Sequence, residues 1–479
     1  MIYIKNNTIN WLLIPYLVSI SIAQTNLNYY PLKNLLIEKS NLLNTDLSSS
    51  NKLNQNSFQI TYNQYFHINT NLPNFENHNG FYFPKGSGSI TSLLFQYKGK
   101  YFFLSAEPQQ INLKESNNMI PTKSSLYGVL NDVQLNNIVN DISPQFRNTG
   151  FAINYYDLGF GYGNWDQWWG PGIHNSLVMS NNAVGIPHYF FGTLQYKPII
   201  NDLEYYLKYM ISDAMVNNAG EEYFLSAYYF SLRYRNIQLG MSKHILNGGY
   251  NDLDWSLNDA FAVLFTKNNN KYWDEITDYF ISASFPSSGL KVFLEVGFPN
   301  RTYANKDPGI YGDNAISSNL GLRKYGAFGK KELMFGFEYT RLVQGIFYNI
   351  IPTPNWYDNI KYNYSSYRGR RWAAHSGSDS DDFLVFIGYM DDRVSIVYGL
   401  NYERHGVTYH FPPEVKFEQR ISVGFKYKNT FIYCNYENEY FEHYGFVDVN
   451  KNVWEETFEP GSIQRTKTFL ISLEHTLSF

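Results

Sequence analysis

The sequence has a single cysteine, Cys434. It therefore forms no intramolecular disulfide and no cysteine-based zinc site. Beyond residue 23 it lacks any apolar run approaching the ~18 residues that a membrane-crossing helix needs. It also lacks an excess of either charge: 38 Lys and Arg stand against 42 Asp and Glu, for a net charge of −4. The two signs are mixed along the chain, so nothing points to nucleic acid as a partner. There is no internal repeat.

Aromatic side chains are abundant. Tyr, Phe and Trp make up 18% of the chain, with 43 Tyr and 36 Phe, although the mean hydropathy is only −0.37. The N-terminus, MIYIKNNTINWLLIPYLVSISIAQ, carries one cation, Lys5, then an apolar run from Trp11 to Ala23. The run is short for a bilayer and ends in the small-x-small pattern Ser21-Ile22-Ala23, which predicts a secretory signal peptide over 1–23. No cysteine follows it, which excludes a lipid anchor there.

The dominant period after that is two. Val292, Leu294, Val296 and Phe298 alternate with Lys291, Glu295 and Gly297. Leu333, Phe335, Phe337 and Tyr339 alternate with Gly336, Glu338 and Thr340, and segments 224–234 and 394–403 repeat the pattern. Such alternation marks strands with one apolar and one polar face. Strand-like segments recur roughly every 20–25 residues, Tyr and Phe gather at their ends, and the chain closes on an alternating strand ending in Phe479. Together with the signal peptide these features predict an all-β fold, a transmembrane antiparallel β-barrel of the bacterial outer membrane spanning 57–479. The spacing allows roughly 16–18 strands. The polar stretch 24–56 is expected to be a periplasmic or plug segment with a short helix around 32–44. Lumenal faces would carry Arg233, Arg235, Lys291, Glu295, Glu338, Glu403, Arg420 and Lys426. The terminal strand is expected to engage the barrel-assembly machinery, the apolar faces outer-membrane lipid, and the chain is read as a monomer.

One stretch stands apart, NWDQWWGPGIHNSLVMSNNA (164–183). Gly170-Pro171-Gly172 forces a tight turn, after which Ile173 to Ser180 reads as a strand. On it Leu177 and Met179 share the lipid-facing side, while His174 and Ser176 lie on the other. A His-x-Ser pair resembles those of outer-membrane phospholipase A and lipid A deacylase, where His activates a Ser nucleophile. Here the pair occupies the wrong face and no third residue orients His174, so no catalytic residue is assigned.

The wider block WWGPGIHNSLVMSNNAVGIP (168–187) closely resembles the signature of the Wzi-like capsule-assembly family. Trp168, Trp169, Gly170, Pro171, Gly172, Asn175, Ser176, Leu177, Ser180, Asn181, Asn182, Ala183 and Pro187 stand in matching places. His174 falls at a variable position, and Val184-Gly185 replaces an Arg-Pro often found there. Weaker echoes are FLEVGF (293–298), RRWAAHSGSDSDD (370–382) and GFYFPKGSGS (80–89). The resemblance implies an 18-stranded barrel acting as a surface lectin that retains or organises capsular or extracellular polysaccharide. Trp faces stack on sugar rings, while amides and guanidinium groups meet hydroxyls and carboxylates. The expected polysaccharide-binding residues are Trp165, Trp168, Trp169, Asn175, Asn181 and Asn182, with Arg370, Trp372 and Asp379 from the long polar stretch 359–383. The other reading of the block is a structural clamp, with Trp168 and Trp169 filling the barrel. Asp379, Asp381 and Asp382 lack a calcium-loop context, and no metal or cofactor is expected. A porin or solute channel is the alternative function.

This reading predicts that the purified protein deacylates neither phospholipid nor lipid A and that Ser176→Ala changes nothing in such an assay. A deacylase activity abolished by that substitution would overturn it.

Overall fold

A computed structural model describes residues 31–43, 57–115, 123–132, 146–249, 273–299, 316–343, 356–446 and 463–479, apart from a few positions inside these runs and with isolated positions between 259 and 264. The expected signal peptide, 1–23, and all of 24–56 except 31–43 lie outside the described residues.

The alternating segments form eighteen strands. They are β1 (Ser57–Asn69), β2 (Gly86–Lys98), β3 (Phe102–Glu115), β4 (Phe146–Tyr155), β5 (Leu158–Gly163) and β6 (His188–Thr193, resuming at Lys197–Ile200). Next come β7 (Leu203–Ser212, resuming at Met215–Val216), β8 (Glu222–Tyr234), β9 (Ile237–Gly248), β10 (Asp274–Phe285), β11 (Leu290–Pro299) and β12 (Ser317–Tyr325). The last six are β13 (Leu333–Arg341), β14 (Ser380–Met390), β15 (Val394–His405), β16 (Glu414–Tyr427), β17 (Thr430–Glu442) and β18 (Gln464–Ser478). Each pairs antiparallel with the next. The first and last then pair from Gln59↔Ser478 to Asn69↔Thr468, which closes the sheet and leaves no edge strand. The fold is a closed, 18-stranded antiparallel barrel.

Its polarity is inverted relative to a soluble protein. Phe66, Ile68, Ile153, Phe160, Phe191, Ile281, Ile387 and Ile396 are exposed on the outside, while Ser92, Glu107, Lys243, Glu275, Asn319, Arg323, Glu338 and Glu403 are buried inside. Five of the eight charges expected in the lumen, Lys291, Glu295, Glu338, Glu403 and Arg420, make lumenal contacts. Arg233, Arg235 and Lys426 do not. They sit at the short-turn end, where Arg233 pairs with Glu204, Arg235 lies in a turn beside Asp202, and Lys426 is exposed. The strands and turns run past the rim there, so alternation carries these side chains into solvent.

Connections such as 235–236 and 428–429 are tight turns at one end, whereas 164–187 and the described residues of 70–85 and 342–379 lie at the other. Helix α1 (Pro31–Leu43) enters from the short-turn end. Leu32, Leu35 and Leu42 pack in one cluster with Met334, Met390 and Phe431. Glu38 anchors the helix through Arg323 Nε at 2.6 Å, Lys291 Nζ at 2.8 Å and the Tyr325 hydroxyl at 2.9 Å.

Burial by itself would raise the Glu38 carboxyl, but the charges of Arg323 and then Lys291 outweigh it and hold the group down to about 2. A depressed carboxyl contributes stability above its unfolded value and loses it as pH falls through the folded one. Docking of 31–43, followed by amide exchange, is therefore expected to be constant above about pH 5 and to weaken progressively toward pH 2. Glu38→Gln should weaken docking by up to about 3 kcal/mol at neutral pH and remove the acid dependence. An unchanged exchange profile would refute this.

Candidate functional site

The block 164–187 does not form the expected strand from Ile173 to Ser180. It is irregular chain folded into the lumen, with one isolated bridge between Trp169 and Met179. Its backbone donors are taken by carboxylates from the wall instead of by a neighbouring strand. Glu338 on β13 accepts Ile173 N–H at 2.9 Å, His174 N–H at 3.1 Å and Asn175 N–H at 2.8 Å. Glu295 on β11 accepts Leu177 N–H at 3.1 Å, and Arg323 on β12 donates to Pro171 O at 2.8 Å. Leu177 and Met179 accordingly face no lipid: both are buried in the interior cluster with Trp165, Trp169 and Trp372.

The turn depends on its glycines. Gly170 has φ +122°, and a Cβ on Gly172 would lie 2.3 Å from Asn175 O and 2.8 Å from Glu338 Oε1. Trp165 lies against the backbone of Gly150 and Gly163 and donates its Nε1–H to Ser105 Oγ at 2.8 Å. Trp168 donates to Gly172 O at 2.9 Å, which closes the turn on itself. At Val184-Gly185, Gly185 N–H donates to Asp166 at 3.0 Å, and a Cβ there would fall 2.1 Å from Asn164 O. A proline at that position would lose the bond and clash.

Segment 356–379 enters the lumen and locks onto the block. Ser180 N–H donates to Trp372 O at 2.6 Å, Asn182 Nδ2 to Arg371 O at 3.0 Å, and His375 N–H to Asn175 Oδ1 at 3.1 Å. The first long connection joins them, with Asn77 N–H on Asn182 Oδ1 at 3.1 Å and Asn77 Nδ2 on His174 O at 2.7 Å. Asn131 Nδ2 reaches His375 O at 3.4 Å from a fourth loop.

The structure thus brings Trp165, Trp168, Trp169, Asn175, Asn181, Asn182, Arg370 and Trp372 into one interlocked mass, and all are buried to 9% exposure or less. Asp379 is buried as well but turns away, accepting Thr408 N–H at 2.9 Å. Asp381 pairs with Arg404, and Asp382 faces the lumen, where it accepts Asn175 Nδ2 at 2.7 Å, so the three aspartates diverge. His174 and Ser176 do not meet: the Ser176 hydroxyl donates to Trp169 O, while His174 Nε2 lies 3.1 Å from Asp382 Oδ2. Asn77, Asn319 and Arg323 were missed by sequence reasoning. Asn319 and Arg323 were findable, since they fall on the inward parity of β12, and Asn319 Nδ2 donates to Asn175 O at 2.9 Å.

Burial disfavours charge on His174, yet Asp382, then Glu338 and Glu403, outweigh it and raise the imidazole to about 8. Beside it lies a partly open pocket of about 10 Å³, lined in part by Glu76, His375, Glu403, His405, Lys416 and Glu439. That is room for about one water.

No family model matches the sequence, and no curated protein does. Among solved structures, Wzi of Escherichia coli, an outer-membrane protein involved in group 1 capsule assembly and a carbohydrate-binding β-barrel, superposes with a TM-score of 0.57 at 11% identity. The match covers 86% of this chain and 83% of that one. Acinetobacter baumannii OccAB4 gives a TM-score of 0.46 at 9% identity, over 90% of this chain and 100% of that one. Pseudomonas aeruginosa OccK2 gives 0.48 at 7% identity, over 89% and 98%. The chain has the fold of a bacterial outer-membrane barrel.

Glu338→Ala would strip three consecutive N–H groups, those of His174 and Asn175 fully buried, of their acceptor, at about 1–3 kcal/mol for each buried one, without touching the backbone ladder of β13. Chymotrypsin, which cuts after Trp and Leu, is expected to cleave 164–187 in this variant at least tenfold faster than in the wild type while the barrel stays folded. Equal cleavage rates would refute the anchoring role.

Proposed function

We propose that this protein is a non-enzymatic outer-membrane barrel of the Wzi-like class that binds surface polysaccharide and helps to retain or organise it on the cell exterior. The observation that carries this reading is the state of the lumen. The Trp-Trp-Gly-Pro-Gly block and the segment 356–379 fill it with interlocked chain, which suits a platform for a bound polymer better than a route for a solute. The fold likeness to a carbohydrate-binding barrel supports the same reading.

In this reading the motif residues build the platform rather than meet the sugar. Trp165, Trp168, Trp169, Asn175, Asn181, Asn182, Arg370, Trp372 and Asp379 have their faces covered by neighbouring chain, so polymer contact falls to the outward surfaces of the loops that they hold. The exposed belt of Phe, Ile and Tyr on the wall meets outer-membrane lipid. Phe479, exposed and hydrogen-bonded to Phe58 at the seam, is the end by which the assembly machinery takes hold of the last strand.

Deletion of the gene in its native cell is expected to move polysaccharide from the cell-associated to the shed fraction, with restoration by the intact gene. Unchanged retention, together with steady single-channel conductance of the purified protein in planar bilayers, would replace this reading with that of a channel.

A further inference from the structure

We propose that His174, His375, Asp382 and Glu403 form a zinc site that clips two lumenal loops to the barrel wall. His174 comes from the block 164–187, His375 from the segment 356–379, and Asp382 and Glu403 from the adjacent strands β14 and β15. All four are buried, and one ligand atom from each lies within 4.8 Å of the others.

Three of the six spacings between the ligand atoms are near those of a coordination shell. Tetrahedral zinc with bonds of about 2.0–2.1 Å places its ligand atoms about 3.3–3.5 Å apart. Here His174 Nε2 is 3.1 Å from Asp382 Oδ2, and His375 Nε2 is 3.3 Å from Asp382 Oδ2 and 3.7 Å from Glu403 Oε1. Two imidazoles with two carboxylates suit zinc. Calcium and magnesium prefer shells of oxygen alone, with more ligands.

A second observation is independent of the spacing. His375 Nδ1 lies 3.1 Å from His174 O, the arrangement in which Nδ1 carries the proton and Nε2 presents its lone pair. A backbone carbonyl on the remote nitrogen is the usual support of a metal-bound histidine. Nε2 is completely buried, makes no hydrogen bond of good geometry, and is aimed at Asp382, Glu403 and, at 3.9 Å, Glu76. A lone pair facing carboxylate oxygens is repulsive until a proton or a metal cation lies between them, and a metal ion would bind all four groups at once.

The surrounding groups complete the shell. Asn175 Nδ2 holds Asp382 at 2.7 Å, and His405 holds the second oxygen of Glu403 at 3.1 Å. Lys416 lies 3.1 Å from Glu403 Oε1 but also contacts Glu76, Glu418 at 3.2 Å and Glu439 at 3.3 Å, so it keeps partners when Glu403 turns to a metal. Acidic groups outnumber Lys416 and Arg420 in this part of the lumen, which favours a divalent cation.

The full-length protein, extracted in detergent and stripped with EDTA, is expected to take up one Zn²⁺ per chain from ZnCl₂ and to give with CoCl₂ the intense visible bands of tetrahedral cobalt. The double variant H174Q/H375Q should bind at least 100-fold more weakly. Asp381→Asn, one residue from a ligand but paired with Arg404, should bind as the wild type does. A wild type that gives no tetrahedral cobalt spectrum overturns the proposal whether or not the variants fold. So does zinc uptake that H174Q/H375Q retains.

Discussion

The carboxylate of Glu338 accepts three successive backbone N–H groups, those of Ile173, His174 and Asn175, and the interior of the barrel is arranged around that fact. In a closed barrel the wall spends its backbone groups on its own ladder, so it has none to offer chain that folds inward. An irregular segment in the lumen must find side-chain partners or leave buried donors unmet, at a cost of kilocalories per group. Glu338, Glu295, Asn319 and Arg323 supply those partners from three neighbouring strands. Once the block is fixed it becomes a surface itself, and the segment 356–379 bonds to it through Trp372 O, Arg371 O and the His375 N–H.

How far the sequence can be read follows from this. The wall was legible because each strand carries its own signal: 291–298 alternates in the sequence and alternates in the barrel. Closure by β1 and β18 agrees with an apolar last strand that ends at Phe479. The same rule misled at 173–180. Eight residues of alternating size occur there without a ladder, because the carboxylates that capture the backbone arrive from strands far along the chain, and no local pattern records them. The faces assigned to Leu177 and Met179 failed for that reason. Likewise Arg233 and Lys426 have lumenal parity yet lie past the rim, and periodicity carries no information on where a wall ends. The block was recognisable as a unit from 168–187, but its burial was not, since burial is decided by which loops fold inward.

Several residues of the block 164–187 are ones that the loop could not exchange and keep its shape. Gly170 has a backbone angle that other residues avoid, Gly172 leaves no room for a Cβ, and Asn175 uses both its amide and its backbone in bonds to Glu338, Thr340, Asp382, Asn319 and His375. Asn182 joins two other loops at once. A motif rich in Trp and Asn can thus arise from the demands of filling a lumen, without any residue touching a ligand. Val184-Gly185 fits the same account, for Gly185 sits where a larger residue would strike Asn164 O.

Arg323 extends the argument from one end of the barrel to the other. Its guanidinium reaches Glu38 of α1 at the short-turn end and Pro171 O of the block folded in from the long-loop end. The helix α1 and the block therefore share one cation. A buried guanidinium that loses one of its partners does not become neutral, and the remaining partner must then carry a less compensated charge. The position of α1 and the position of the block are coupled for that reason, although neither touches the other through any bond described above. The apolar belt sets the barrel in its surroundings, but it is this line of polar contacts through the lumen that makes the two ends one structure.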